Sequence, residues 1–208
     1  MKNTKTEILR NAVHLFNQKG FFKVTVKEIA DKMGISPGNL TYHFKRKEHL
    51  LAAIQQEILD GSKGIIIPEG QEITLKHFRD IFARFYEIQR EYCFYFSEII
   101  YLLEVYPDIT GEYKNATATR IKDARKLVDY YIATDRLVSE KGDVDYDYLI
   151  HNLWMVNTFW TLGGALLDRK YSDKDFDSPI ESLWKILLPY LTDKGRNEYD
   201  ALKAEQSA

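Results

Sequence analysis

Residues 25–44 read TVKEIADKMGISPGNLTYHF, and this stretch decides the fold. Thr25 with Glu28 three positions on forms a capping box that starts a helix, with Val26, Ile29, Ala30 and Met33 as its buried face. Gly34 ends that helix, Ser36 caps the next, and Pro37 takes the first-turn position where a missing N–H costs nothing. Ala30, Gly34 and Leu40 stand at the spacing that two helices joined by a tight turn require. The small residue lets the helices cross closely, the glycine permits a left-handed turn, and the leucine locks the second helix onto the first. That second helix is polar on its outer side, where Asn39, Thr41, Tyr42 and His43 offer hydrogen-bonding groups to base edges and phosphates. Lys45, Arg46 and Lys47 follow directly, placed to flank a groove and hold phosphates. A plain helical hairpin with a polar surface accounts for some of these features, but not for cap, turn, small residue and basic flank together.

The helical pattern continues on both sides. Ile8, Ala12, Leu15 and Phe16 form one apolar stripe that ends near Gly20. A fourth helix begins near Lys47 and runs through Leu50, Leu51, Ile54 and Ile58. Gly61-Ser62-Lys63-Gly64 and Pro68-Glu69-Gly70 then break the pattern and mark a linker, with Ile65-Ile66-Ile67 between them as a loop or frayed helix end. Further helical segments are expected over about 73–90, 92–105, 112–138, 145–168 and 178–201, with breaks at Pro107, Gly111, Gly142 and the Asp/Ser/Pro cluster at 172–179. The expected fold class is all-α: a three-helix helix-turn-helix domain over residues 1–46, and a helical ligand-binding and dimerisation domain over 47–208. Residues 47–60 are its connecting helix.

Composition narrows the function classes. Residues 1–60 carry ten Lys/Arg against six Asp/Glu, whereas the remainder carries nineteen against twenty-five. A basic head on an acidic body points to two jobs. The single cysteine, Cys93, excludes a disulfide framework within the chain and a cysteine-rich zinc site. No apolar run reaches the ~18–20 residues of a membrane span, and the first residues lack the apolar core of a signal peptide, so a cytoplasmic protein is expected. Phosphate loops, dinucleotide fingerprints and H-E-x-x-H motifs are absent, so no enzyme activity and no cofactor are expected. His14, His77 and His151 are scattered, and His43 has no partner at metal-ligand spacing.

The run Gly34-Ile35-Ser36-Pro37-Gly38-Asn39-Leu40-Thr41-Tyr42-His43-Phe44, then Lys47-Glu48 and Leu50, closely resembles the recognition helix and following turn of TetR-family regulators. The resemblance is specific over about residues 4–58 and rests on length and helical pattern beyond. It implies a dimeric transcriptional regulator, a repressor by family habit, bound to a palindromic operator in double-stranded DNA and released by a small molecule. It implies that Thr25 caps the second helix and touches a phosphate. Pro37, Gly38, Asn39 and Thr41 approach base edges, Tyr42 and His43 contact phosphate or sugar, and Lys47 holds a phosphate. Lys27 and Ser36 complete the expected DNA-binding set, while Phe44 packs inside the head. Many relatives carry a basic or hydroxyl residue in place of Pro37 and an aromatic in place of Thr41, so base preference does not transfer. The rival reading is a module of this fold that binds protein and has lost DNA binding. Steep salt dependence of binding separates the two.

Behind the head, aromatics are dense. Tyrosine hydroxyls in a sealed core each need a partner, whereas an apolar cavity with polar handles suits them. Phe82, Phe85, Tyr86, Tyr101, Tyr131 and Trp154 are the expected lining of a site for a small hydrophobic or aromatic ligand. The segment 145–168 is apolar on two sides, one through Tyr146, Leu149, Ile150, Leu153, Asn157, Trp160 and Gly164. A helix buried on two sides needs two neighbours. The resemblance implies that this helix and the last one form a four-helix bundle with their symmetry mates. Tyr148, Met155, Phe159, Leu162, Gly163, Leu166, Leu183, Ile186 and Tyr190 are the expected interface of that homodimer.

Overall fold

A computed structural model describes residues 4–63, 72–166 and 179–207. The described residues are helical, with no strand among them. The helices are α1 (Thr4–Lys19), α2 (Val26–Met33), α3 (Pro37–His43), α4 (Lys47–Gly61), α5 (Leu75–Glu91) and α6 (Cys93–Ser97). They continue as α7 (Ile99–Val105), α8 (Pro107–Ala133), α9 (Tyr146–Leu166), α10 (Pro179–Leu187) and α11 (Asp193–Ser207), with a short 3-10 turn at Leu188–Tyr190 before the last. None of the described helices is long and apolar enough to cross a membrane. The expected break at Gly64 and Pro68–Gly70, the Ile65–Ile67 loop and most of the 172–179 cluster lie outside the described residues.

The chain forms two compact units, and neither is continuous in sequence. The first joins Met1–Lys63 to Ile88–Asn115; the second joins Gly64–Glu87 to Ala116–Ala208. A boundary at residue 46 therefore falls inside the first unit. The physical reason is that α4 buries Leu50, Leu51, Ile54, Gln55 and Ile58, a stripe too wide for α1–α3 alone to cover. Gln55 shows what covers it: Tyr95 donates its hydroxyl to Gln55 Oε1 (2.8 Å), and Gln55 Nε2 donates to the Ile109 carbonyl (2.9 Å).

The core of the first unit collects Ile8, Ala12, Phe16, Phe21, Ile29, Ala30, Leu40 and Phe44, all buried. Phe16, Phe21 and Phe94 pack as one aromatic cluster, with Phe16 5.0 Å from Phe21 and 5.1 Å from Phe94.

In the second unit Phe78, Leu127, Tyr131, Tyr146, Leu149, Leu153, Leu183, Trp184 and Leu187 form the core. Arg136, 1% exposed, is buried there with its charge answered by Glu198 and Glu72. Several segments differ from the expected ones, three of them for clear local reasons. Pro107 starts α8, as a proline can at a first helical position, so the helix begins five residues early and takes in Gly111. The segment expected over 92–105 is two short helices that turn a corner at Glu98. The last expected helix, 178–201, is interrupted because Pro189 has no N–H to donate, and the chain resumes as α11 at Asp193.

Candidate nucleic-acid interface

The helix-turn-helix is built from local bonds. Glu28 N–H donates to Thr25 Oγ1 (3.2 Å) and Thr25 N–H donates to Glu28 Oε2 (2.8 Å), which completes the capping box of α2. Thr25 Oγ1 also donates to Glu28 Oε2 (3.0 Å), so its hydroxyl proton is held within the box. The Glu28 carboxyl is lowered to about 2, chiefly by Lys19 and then by the amide and hydroxyl of Thr25. Gly34 ends α2 at φ +66°, and Ile35 N–H reaches back to the Ala30 carbonyl at 3.1 Å. Ser36 Oγ accepts from Asn39 N–H (3.2 Å), with Pro37 at the first position of α3.

This geometry divides α3 cleanly. Leu40 and, at its end, Phe44 are buried, while Ser36, Pro37, Gly38, Asn39, Thr41 and Tyr42 are exposed. Tyr42 is 83% exposed, with His43 edge-on to its ring at 5.2 Å; His43 itself is half-buried. Thr41 donates its hydroxyl to the Gly38 carbonyl (3.1 Å), so outward it offers acceptor lone pairs and a methyl group. Thr25 and Lys27 are exposed at the start of α2, and Lys23, Lys45 and Arg46 add exposed cations around the same element.

Lys47 is placed differently from the other cations. It is half-buried, and its Nζ donates to the carbonyls of Val24 (2.7 Å) and Phe22 (3.5 Å). The ammonium lies 4.3 Å from the Phe21 ring centroid. Burial holds it below the usual lysine range, against the opposing charges of Glu48, Glu98 and Glu28. Lys47 therefore braces the α1–α2 loop first, and any phosphate contact competes with those carbonyls.

Sequence reasoning missed three polar residues of this unit. Glu98 accepts from Phe21 N–H (3.1 Å); burial pushes its carboxyl up, opposed by that bond and by the charges of Lys47 and Lys23. Asn17 donates to the Glu91 carbonyl (2.8 Å) and accepts from Phe94 N–H (3.1 Å). Buried Gln55 carried a signal, since it interrupts the apolar stripe of α4. Asn17 and Glu98 carried none, as their partners lie 74 to 77 residues away.

The expected ligand-site residues are divided. Phe82, Phe85, Tyr86, Tyr131 and Trp154 belong to the second unit, and Tyr101 to the first, where it is 54% exposed and packs on Phe22 at 4.6 Å. Tyr131 is a core residue: 2% exposed, it donates to the Thr74 carbonyl at 2.9 Å, so its hydroxyl is satisfied without a ligand. Phe82, Phe85, Tyr86 and Trp154 are half-buried.

The expected dimer residues divide as well. Tyr148 (69%) and Met155 (44%) are exposed on α9, and Phe159 and Leu162 are half-buried. Leu183 is a correction: it is fully buried in its own unit, because Ile180, Leu183, Trp184 and Leu187 form the i, i+3, i+4, i+7 stripe of α10. Ile186 is half-buried, as is Tyr190, whose ring meets Tyr146 at 5.7 Å. The surroundings of Gly163 and of the Leu166 side chain lie outside what the structure describes.

A capped, glycine-turned helix pair presenting one polar helix on a basic head defines a helix-turn-helix DNA-binding regulator. Residues 8–54 match the bacterial regulatory proteins of the tetR family, and residues 62–199 match TetR, bacterial transcriptional repressor. The chain belongs to the TetR family of transcriptional regulators.

Three relatives illustrate the range. The chain is 39% identical over 59 residues to the probable HTH-type transcriptional regulator YttP of Bacillus subtilis, covering 28% of each chain. It is 28% identical over 151 residues to the HTH-type transcriptional regulator QacR of Staphylococcus aureus, covering 73% of this chain and 77% of QacR. In the first two curated relatives it matches, the similarity spans only 28% and 18% of their length. A TetR-family transcriptional regulator from Marinobacter aquaeolei superposes with a TM-score of 0.86 at 25% identity, covering 98% of both chains.

Proposed function

We propose that this protein is a cytoplasmic homodimeric repressor that leaves a palindromic operator when a small hydrophobic or aromatic molecule binds its second unit. The observation that carries the reading is the division of α3, in which every apolar anchor is buried and Asn39, Thr41 and Tyr42 are left to solvent. Asn39 is the residue for a bidentate adenine contact, and Thr41 accepts from a base amino group or packs its methyl on thymine. Tyr42, Lys27 and the start of α2 set the register on phosphates. Thr25 serves here by fixing α2, since its hydroxyl proton is taken by Glu28. Two-fold symmetry places the half-sites about one helical turn, ~34–36 Å, apart.

Dimerisation is assigned to the outer face of α9, through Tyr148, Met155, Phe159 and Leu162, with Ile186 beside it on α10. The ligand reading draws on Phe82, Phe85, Tyr86 and Trp154. It also draws on His77 Nε2 and Thr117 Oγ1, buried polar atoms of the same unit without a hydrogen-bond partner among the described residues. Burial lowers the His77 pKa, which favours the neutral ring that a hydrophobic ligand would meet.

The test is selection of genomic fragments with the purified protein, followed by binding at two salt concentrations. A palindrome bound with a steep salt slope is expected. Asn39→Ala should cost about 1–3 kcal/mol and relax preference at one base position. Lys27→Ala should weaken all sequences alike and reduce the salt slope by about one. A verified dimer that enriches no DNA, with and without candidate ligands, would move the protein to the interaction-module reading.

A further inference from the structure

The short loop between α1 and α2 is held at both ends by opposite charges. At its start, Phe21 N–H donates to Glu98 Oε2 at 3.1 Å. At its end, Lys47 Nζ donates to the Val24 carbonyl at 2.7 Å. Between them the Phe21 ring is buried against Phe16 and Phe94. The next residue, Thr25, caps α2, so this loop sets where the first DNA-facing turn begins.

Glu98 reaches the loop from the corner between α6 and α7. The approach is close: Gly20 stands at φ +83°, and a Cβ there would come 2.5 Å from Glu98 Oε1. Just before the loop, Asn17 on α1 is tied to the α5–α6 junction through Glu91 and Phe94. A half-buried carboxylate in a head meant for phosphates works against binding by its charge alone, which leaves its reach to the loop as the contribution to explain.

We infer that Glu98 is a positioning residue for DNA binding, fixing the α1–α2 loop and through it the start of α2 and Lys47. The inference rests on the DNA-binding reading above. A displacement of the α6–α7 corner is then passed to the DNA-facing surface by a hydrogen bond rather than by packing alone. A relay of this kind is effective only as far as the two loop positions differ in operator affinity.

Two substitutions in the full-length protein separate reach from charge. Glu98→Gln keeps an acceptor oxygen at the same reach without the charge; Glu98→Asp keeps the charge and shortens the reach. Measured on the selected operator, Glu98→Asp should bind about 10-fold more weakly, the size of one hydrogen bond to a charged group. Glu98→Gln should stay within about 2-fold of the parent, and both should keep its salt slope, since no phosphate contact is removed. Non-additivity of Glu98→Asp with Thr25→Ala shows that Glu98 acts through the start of α2. Parental affinity in Glu98→Asp, or a loss in Glu98→Gln as large as in Glu98→Asp, overturns the inference alone. A parent protein that enriches no DNA overturns the regulator reading, and this inference with it.

Discussion

Helices α3 and α9 both leave aromatic surface in solvent, yet they do so in opposite company. On α3, Tyr42 stands among exposed Asn39, Thr41 and Gly38, and the apolar neighbours Leu40 and Phe44 are sealed. On α9, exposed Tyr148 and Met155 continue into half-buried Phe159 and Leu162 along one face. The first surface suits a wet, charged partner whose contacts are hydrogen bonds. The second suits a dry one that removes apolar area from water. One chain thus carries two unfinished surfaces, and their chemistry tells which partner completes each.

That contrast is open to direct attack. The largest effect is expected from Met155→Glu, which places a charge where a dry contact is proposed. Sedimentation should show a monomer, and operator affinity should fall about 100-fold or more as two linked half-sites become one. A dimer of parental affinity would remove α9 from the interface.

A smaller effect comes from Gly34→Ala. Among the described residues nothing beyond its chain neighbours lies within 4 Å of the added Cβ, so the cost is that of the left-handed backbone at φ +66°. Urea unfolding should register a loss of about 1–2 kcal/mol, with dimerisation through α9 unchanged.

The smallest effect concerns Glu28. Its carboxyl is lowered from 4.5 to about 2 in the folded state, so the fold gains from the charged form above its unfolded value. That gain is lost as pH falls from about 4.5 toward 2. Melting temperature followed across this window should drop less steeply for Glu28→Gln than for the parent. Equal slopes would mean that the capping box does not need the charge.

The helix-turn-helix was legible because its determinants are local. The Thr25–Glu28 box, the Gly34 turn and the Ser36–Pro37 start all act within three or four residues, and spacing alone exposes them. Most of the inner stripe of α9 was legible as well: Tyr146, Leu149, Ile150, Leu153 and Asn157 are buried, and Trp160 is half-buried. On α10 the apolar residues share one face, opposite Glu181, Ser182 and Lys185, and Leu183 was expected on the wrong side of that stripe. Proline misled twice, starting α8 at Pro107 where a break was expected and breaking the last helix at Pro189 where none was. Tyr131 shows the limit for the ligand site, since composition says that a hydroxyl needs a partner but not that Thr74 supplies it. The ties of Asn17 and Glu98 depend on the finished fold and have no local signature in the sequence.

The discontinuous make-up of the first unit has a consequence for exchanging parts between related regulators. A head cut after α4 would leave behind the Tyr95 hydroxyl and Ile109 carbonyl that satisfy Gln55, and the Glu98 carboxylate that holds Phe21. A chimera made at such a junction would strand a buried amide and an unpaired N–H, each a cost of about 1–3 kcal/mol. The transplantable piece is instead a two-segment graft, residues 4–63 together with 88–115, carried over as a set.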